Sequence, residues 1–305
     1  MIVALSGGVG GAKLSWGLER SLANEELAVI VNTGDDFILH GLYIAPDLDT
    51  VMYTLADLAN PATGWGIAND TFHALAMLER YGQPVWFQLG DRDLAIHLAR
   101  TNLLRQQRLT EVTATLAQAL GVRSRILPMS DQRVETRILT PDGELAFQDY
   151  FVRRRQQDLV HGVRFQGAEQ ATLSPEVLAA LAQARLIVFC PSNPIISIGP
   201  ILAVPEMHAA IASAQARKVA VSPIIAGQAV KGPLVAMMQG LGLEPSAPGV
   251  ARLYADLVDS FILDQQDAHL APQIAALGLK VTATNTLMSD HSRRRHLAEV
   301  VLAQA

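Results

Sequence analysis

Two kinds of residue in this sequence are grouped as if for chemistry: glycines beside a lysine, and aspartates at short intervals. The first group is Ser6-Gly7-Gly8-Val9-Gly10-Gly11-Ala12-Lys13, directly after the apolar run Ile2 to Leu5. Glycines let backbone N–H groups approach phosphate oxygens without Cβ clashes, and a helix starting there adds the positive end of its dipole. Gly7, Gly8, Gly10 and Lys13 are therefore candidates for holding a phosphate. The spacing is not the dinucleotide fingerprint, because Lys13 replaces the third glycine counted from Gly8. It is not a P-loop either, because no Gly-Lys-Ser/Thr closes it. The alternative is a tight strand–helix turn with a solvated lysine.

The second group begins at Asn32-Thr33-Gly34-Asp35-Asp36, after another apolar run, Leu27 to Val31. Pro46-Asp47-Leu48-Asp49-Thr50 adds two carboxylates, and Asp70 and Asp91 are placed to approach the same face. Carboxylates beside a phosphate site repel it unless a hard cation lies between them, which points to Mg²⁺. Asp47 and Asp91 have an alternative as helix N-caps, and Asp35 and Asp36 as turn residues. Further along, Cys190-Pro191-Ser192-Asn193-Pro194 and Lys231-Gly232-Pro233 supply two more polar loops. Ser192 and Asn193 can seat a nucleotide phosphate or base. His97 follows Asp93 by one helical turn, as a structural pair would. Trp65 either stacks on a planar ring or fills a core gap.

The elements that must position these groups form an α/β pattern. Ile2–Ser6, a helix over 12–22 and a strand over 27–32 make a βαβ start. Helices are expected over 47–59, 69–81, 91–105 and 110–120, and Val85 to Leu89 reads as a strand. Val134 to Thr140 and Glu144 to Tyr150 flank Pro141-Asp142-Gly143, a hairpin signal. Residues Ser124 to Gly167 thus form an expected antiparallel insertion, with Arg153-Arg154-Arg155 as a solvated turn. Strands then return at 186–189, 218–222, 260–263 and 280–283. The expectation is a single domain over 1–305: a Rossmann-like, doubly wound, mostly parallel sheet of about six strands flanked by helices.

Composition narrows the class. The net charge of −5 and the absence of clustered basic charge argue against a nucleic-acid or lipid partner. Mean hydropathy is +0.23, yet the uncharged stretch Cys190 to Pro205 is broken by four prolines and cannot span a membrane. No signal peptide is expected. A single cysteine, Cys190, fits a reducing, cytoplasmic setting and a buried thiol. Arginines number twenty and lysines four, so Lys13 and Lys231, both beside glycines, stand out.

The glycine loop, Asn32 to Asp36, Pro46 to Thr50, Gly66-Ile67-Ala68-Asn69-Asp70-Thr71, Leu89-Gly90-Asp91-Arg92-Asp93, Leu127-Pro128-Met129-Ser130-Asp131 and Pro191 to Pro194 resemble, in order, the motifs of the 2-phospho-L-lactate transferase family. Asn285-Thr286-Leu287-Met288 is similar to that family's ending. The resemblance implies coenzyme F420 biosynthesis: transfer of a phospholactyl-type group from a guanosine diphospho-conjugate to the deazaflavin alcohol Fo, with Mg²⁺ and release of GMP. It implies a homodimer. It places Asp49 and Arg92 at the acceptor, and the glycine loop, Lys13, Ser192 and Asn193 at the guanosine diphosphate. Asp35, Asp36 and Asp49 become the expected metal ligands and catalytic carboxylates, with Asp70 and Asp91 as further substrate contacts. One departure is Val9-Gly10-Gly11-Ala12-Lys13, where the family frequently has Thr-Gly-Thr-Pro-Lys; lost hydroxyls shift phosphate contacts to the backbone. The competing reading is a non-catalytic nucleotide-sugar-binding regulator of the same superfamily. A third, an NAD(P)-dependent oxidoreductase, is disfavoured by the missing third glycine.

Overall fold

The computed structural model describes residues 1–22 and 26–305. Its centre is a seven-stranded parallel sheet in the order Lys280–Thr284, Ser260–Asp264, Arg217–Val221, Leu186–Phe189, Ile2–Ser6 (β1), Leu27–Val31 (β2) and Arg125–Pro128. Every residue of β1 and β2 is buried, as expected of strands covered on both faces. Alternate side chains feed two cores. Val3 and Leu5 join one cluster with Phe189, Phe261 and Tyr254, while Ile2 and Ala4 join the other with Trp16, Leu48 and Leu297. The register Ile2 to Leu27 on one side and Ile2 to Leu186 on the other brings the carboxyl ends of three strands level.

The chain leaves β1 toward β2 and the 125–128 edge. It then returns to the opposite side of β1 at Leu186–Phe189 and continues outward. The strand order therefore reverses between β1 and Leu186–Phe189. Ligands of doubly wound sheets bind in the crevice at such a reversal. Its two lips are the glycine loop after β1 and the loop Cys190 to Asn193.

Details differ from the sequence expectations, among them the second hairpin strand, expected over Glu144 to Tyr150, which ends at Ala146 before a helical turn at Asp149–Arg153. Val85 to Leu89 is irregular rather than a strand. Its apolar residues Trp86, Phe87 and Leu89 instead pack with Phe37, Leu39 and Ile44 of a small hairpin, where Phe37 and Phe87 meet edge to face at 5.0 Å. The seventh strand is Arg125–Pro128, which pairs parallel with β2, so the expected insertion beginning at Ser124 starts too early. The antiparallel sheet comprises Glu135–Thr140, Gly143–Ala146 and Gly162–Gln166. Pro128 is tolerated because that strand lies at the sheet edge. The helices Val9–Ser21 (α1), Pro46–Leu55 (α2), His73–Arg80 (α3) and Asp91–Leu103 (α4) surround the site, with Lys13 on α1, Asp47 and Asp49 on α2 and Asp91 and Arg92 on α4, whereas Asp35, Asp36 and Asp70 lie on loops. No described helix is long and apolar enough to cross a membrane.

Candidate active site

The glycine loop is shaped by close approach. None of Gly7, Gly8, Gly10 and Gly11 has a positive φ. A Cβ on Gly8 would lie 2.6 Å from Asp47 Oδ1, and one on Gly10 would overlap the Pro191 carbonyl. Small residues thus let α1 seat its first turn against both lips of the crevice. Gly7 N–H donates to Ser192 Oγ at 3.0 Å, tying the lips together. No side chain caps α1, so the N–H groups of its first turn face the crevice with the positive dipole end. Lys13, one turn along, is half-buried.

Opposite this helix end lies a set of buried carboxylates. Asn32, the first residue past β2, donates from Nδ2 to Asp35 and to Asp47 Oδ2, the latter at 3.0 Å, while its Oδ1 accepts from Gly34 N–H. One amide thus clamps two acids. Burial is the main force raising their proton affinity. It pushes Asp47 to about 6, and it holds Asp35 well above the ordinary carboxylate range with help from neighbouring Asp47 and Asp36. Asp36 is raised chiefly by burial as well. Its Oδ2 accepts from Tyr43 Oη at 2.9 Å, whereas its Oδ1 is buried without a partner. Hard carboxylate oxygens, one of them an orphaned oxygen of Asp36, fit Mg²⁺ in chemistry, although the three-residue cluster close enough to hold an ion among the described residues is Asp49, Asp93 and His97.

Asp49 neighbours Asp36, whose proton affinity its charge raises, but its carboxylate is engaged on another side. It lies two residues from Asp47 on α2, about 200° around the helix, and faces α4. There Arg100 takes both carboxylate oxygens, Nη1 donating to Oδ2 at 3.1 Å and Nη2 to Oδ1. His97 Nδ1 lies 3.1 Å from the same guanidinium, and its Nε2 lies 3.2 Å from Asp93 Oδ2, the expected one-turn pair. Tyr53 Oη donates to Asp93 Oδ1 at 2.6 Å. Asp49, Asp93 and His97 converge closely enough to suggest a metal, but Arg100 already neutralises Asp49. Asp49 thus lies in a metal-compatible cluster with Asp93 and His97 while Arg100 pairs with it, and Asp47, open in sequence between a cap and a ligand, is held by Asn32. Arg100 and Asn32 were not singled out from sequence. Asn32 had one available signal, its place at the carboxyl end of β2.

Asp70 and Asp91 are reciprocal helix caps. Asp70 accepts from the backbone N–H of Arg92 and Asp93 at the start of α4, at 2.9 and 3.1 Å. Asp91 accepts from those of His73 and Ala74 at the start of α3, at 3.0 and 2.9 Å, and from Thr71 Oγ1. These bonds hold the Asp91 carboxyl below its ordinary range, led by the Thr71 hydroxyl. We expect Asp70→Ala to lower stability by about 1 kcal/mol, as loss of an N-terminal cap does, with turnover per folded molecule unchanged. Parallel denaturation and steady-state assays check this; a selective rise in KM would make Asp70 a substrate contact.

The remaining expected residues sort readily. Arg92 is exposed, and its Nη1 donates to the Ala68 carbonyl at 3.2 Å. Asn193 Oδ1 accepts from the N–H groups of Ile195 and Ile196, so this side chain shapes the lip. Cys190 is buried, and burial pushes its thiol up to about 12. Trp65 is exposed and fills no core gap. Arg153 and Arg154 pair with Asp149 and Asp158 at an exposed turn.

A family model described as 2-phospho-L-lactate transferase CofD matches residues 2–303. The chain belongs to the 2-phospho-L-lactate transferase family. It is 40% identical over 302 residues to a Methanosarcina mazei protein named 2-phospho-L-lactate transferase, covering 99% of both chains. It is 42% identical over 312 residues to a Kitasatospora aureofaciens protein named phosphoenolpyruvate transferase, covering 100% of this chain and 97% of that one. Family members of nearly equal identity thus carry names that differ in the three-carbon acid. A crystal structure of a Bacillus halodurans protein of the UPF0052 family superposes with a TM-score of 0.63 at 16% identity, over 99% of this chain and 98% of that one. That likeness establishes the fold alone.

Proposed function

We propose that this chain transfers a phospholactyl-type group, or its phosphoenolpyruvyl or phosphoglyceryl counterpart, from a guanosine diphospho-conjugate to Fo. The observation that carries this reading is the crevice itself: an uncapped helix N-terminus faces three buried carboxylates where the strand order reverses. The first turn of α1 and Lys13 hold the diphosphate. Asp35 and Asp47, which share the Asn32 amide, would hold Mg²⁺, and the ion would supply neutralisation of charge on the diphosphate oxygens. A terminal hydroxyl oxygen of Fo forms a bond to the distal phosphorus. The bond from that phosphorus to the bridging oxygen breaks, and GMP leaves with the electron pair. Asp36 is suited to accept the hydroxyl proton, because burial raises its proton affinity and its Oδ1 has no other partner. Positioning and charge neutralisation supply most of the rate in such a transfer.

The test is mass spectrometry of the product formed from Fo and each of the three donors with Mg²⁺. A product joining the three-carbon phosphoacid to Fo with equimolar GMP is expected. Absence of product from all three, with Fo fluorescence unchanged on adding protein, would overturn the reading. Arg92 is exposed and can be removed without disturbing the core. Arg92→Ala should raise the KM for Fo about tenfold with little change in kcat, as loss of one hydrogen bond to a bound substrate does.

A further inference from the structure

A second polar region lies outside the crevice. Along its outer face α1 carries Val9, Lys13, Trp16 and Arg20. With the C-terminal helix His291–Leu302 and the segment 57–68, this face encloses a groove of about 1020 Å³. Trp16 is its floor. Its indole stacks on His291 at 4.3 Å, and the guanidinium carbons of Arg20, Arg294 and Arg295 lie 5.2, 5.5 and 5.8 Å from its ring centre. Arg20 is answered by Glu19 and by Asp57, the latter at 2.7 Å. Among the described residues, the side chains of Lys13, Arg294 and Arg295 have neither a hydrogen bond nor an ion pair, and Arg294 Nε is buried and orphaned. Of the two acids lining the groove, Asp57 already accepts from Trp16 Nε1 and Arg20, which leaves Glu299.

Lys13 and Arg294 are half-buried and repel one another, with Arg295 exposed beside them, and Arg294 is offset only through space by Asp57 and Asp290. Burial and then Arg294 lower the proton affinity of Lys13; burial and then Lys13 lower that of Lys231, whose ammonium donates to the Thr63 carbonyl at the groove's edge. Such a cluster is unfavourable in the free protein and becomes favourable when an anion enters. Guanidinium groups on a rigid helix suit a phosphate, whose oxygens accept paired hydrogen bonds. The space is that of a nucleotide-sized ligand, well beyond a single ion.

We propose that this groove is a binding site for a small molecule carrying a multiply charged phosphate group, held by Lys13, Arg294 and Arg295. Lys13 lies where the groove opens onto the first turn of α1. The occupant is therefore either the diphosphate-bearing end of the transfer donor or a separate phosphorylated compound beside it.

Titration calorimetry of the full chain with inorganic pyrophosphate tests this. Binding that weakens with added salt is expected, and Arg294→Gln/Arg295→Gln should weaken it at least tenfold while leaving the circular dichroism spectrum unchanged. If the double variant misfolds, Arg295→Gln alone, at an exposed position, should weaken binding severalfold. No binding to the wild-type chain, or equal binding by the folded variants, overturns the proposal. A competition arm identifies the source. Displacement of pyrophosphate by GDP assigns the groove to the donor, and simultaneous binding assigns it to a separate compound; both outcomes uphold the site. Failure of Fo transfer in the wild-type chain would sink the proposed activity and leave pyrophosphate binding untouched, so the two can fail independently.

Discussion

Asp47→Asn is expected to reduce transfer by about a thousandfold or more, the scale of losing a group that organises charge in the transition state, while making the cation-free protein more stable at neutral pH. The two effects have one origin. Asp47 is buried against Asp35 with one amide between them, and its pKa is pushed from 3.8 to about 6. A carboxyl whose folded pKa is raised favours folding when protonated. Between 3.8 and about 6 the folded chain binds more protons than the unfolded chain, so stability falls as pH rises through that window and stays lower above it. A shift of about two units corresponds to about 2–3 kcal/mol, as an upper bound. The amide variant carries no charge and should escape this loss. Chemical denaturation at pH 4.5 and 7.5, after chelation, measures it. Adding Mg²⁺ should stabilise the wild-type chain more at the higher pH, and Asp47→Asn much less at either. A variant with full activity, or with unchanged Mg²⁺ stabilisation, would remove Asp47 from the metal set.

Arg100→Met should lower stability by about 3–5 kcal/mol, the usual result of leaving one member of a buried ion pair unmatched. Arg100 is 1% exposed and Asp49 4% exposed, so water cannot replace the lost partner. The loss extends beyond the pair, since the guanidinium also lies beside His97 and its charge lowers the proton affinity of Asp36. Arg100→Lys should recover only part of the stability, because an ammonium cannot match both oxygens of Asp49. Arg100→Met combined with Asp49→Leu should recover most of it. Thermal and urea unfolding check the series; a loss below about 1 kcal/mol in the single variant would mean that the pair is solvated. Asp49→Ala will lose activity whatever Asp49 does for the acceptor, because it strands Arg100. Activity loss at this position therefore has to be normalised to folded protein.

The parallel sheet was legible because its strands are covered on both faces and so appear as unbroken apolar runs with loops at their ends. The 85–89 segment has the same composition, yet its aromatic side chains find a small hairpin to cover. Nothing local distinguishes the two fates. Arg125–Pro128 was missed for the opposite reason: an arginine and a proline in a short run suit only an edge. The glycine loop, Asp35 and Asp36 were visible from their position after strands. The division of labour between Asp47 and Asp49 was not, because it depends on which helix faces each side of α2, and that is set by packing of α4. The caps at Asp70 and Asp91 are hidden similarly, since each satisfies a helix about twenty residues away. The cationic groove combines α1 with a helix nearly three hundred residues later, a pairing no local pattern announces.

The reversal of strand order beside β1 divides the chain into two wings joined through the antiparallel insertion. One wing supplies the glycine loop and the carboxylates, the other the Ser192 lip, and β1 hydrogen-bonds to Leu186–Phe189 along their whole register. The turn at Pro141 and Asp142 is exposed and lies between them. A protease nick there would sever the only covalent link between the wings without touching the sheet. The nicked halves should stay associated and keep an intact crevice, whereas either half purified alone would have only one of its walls.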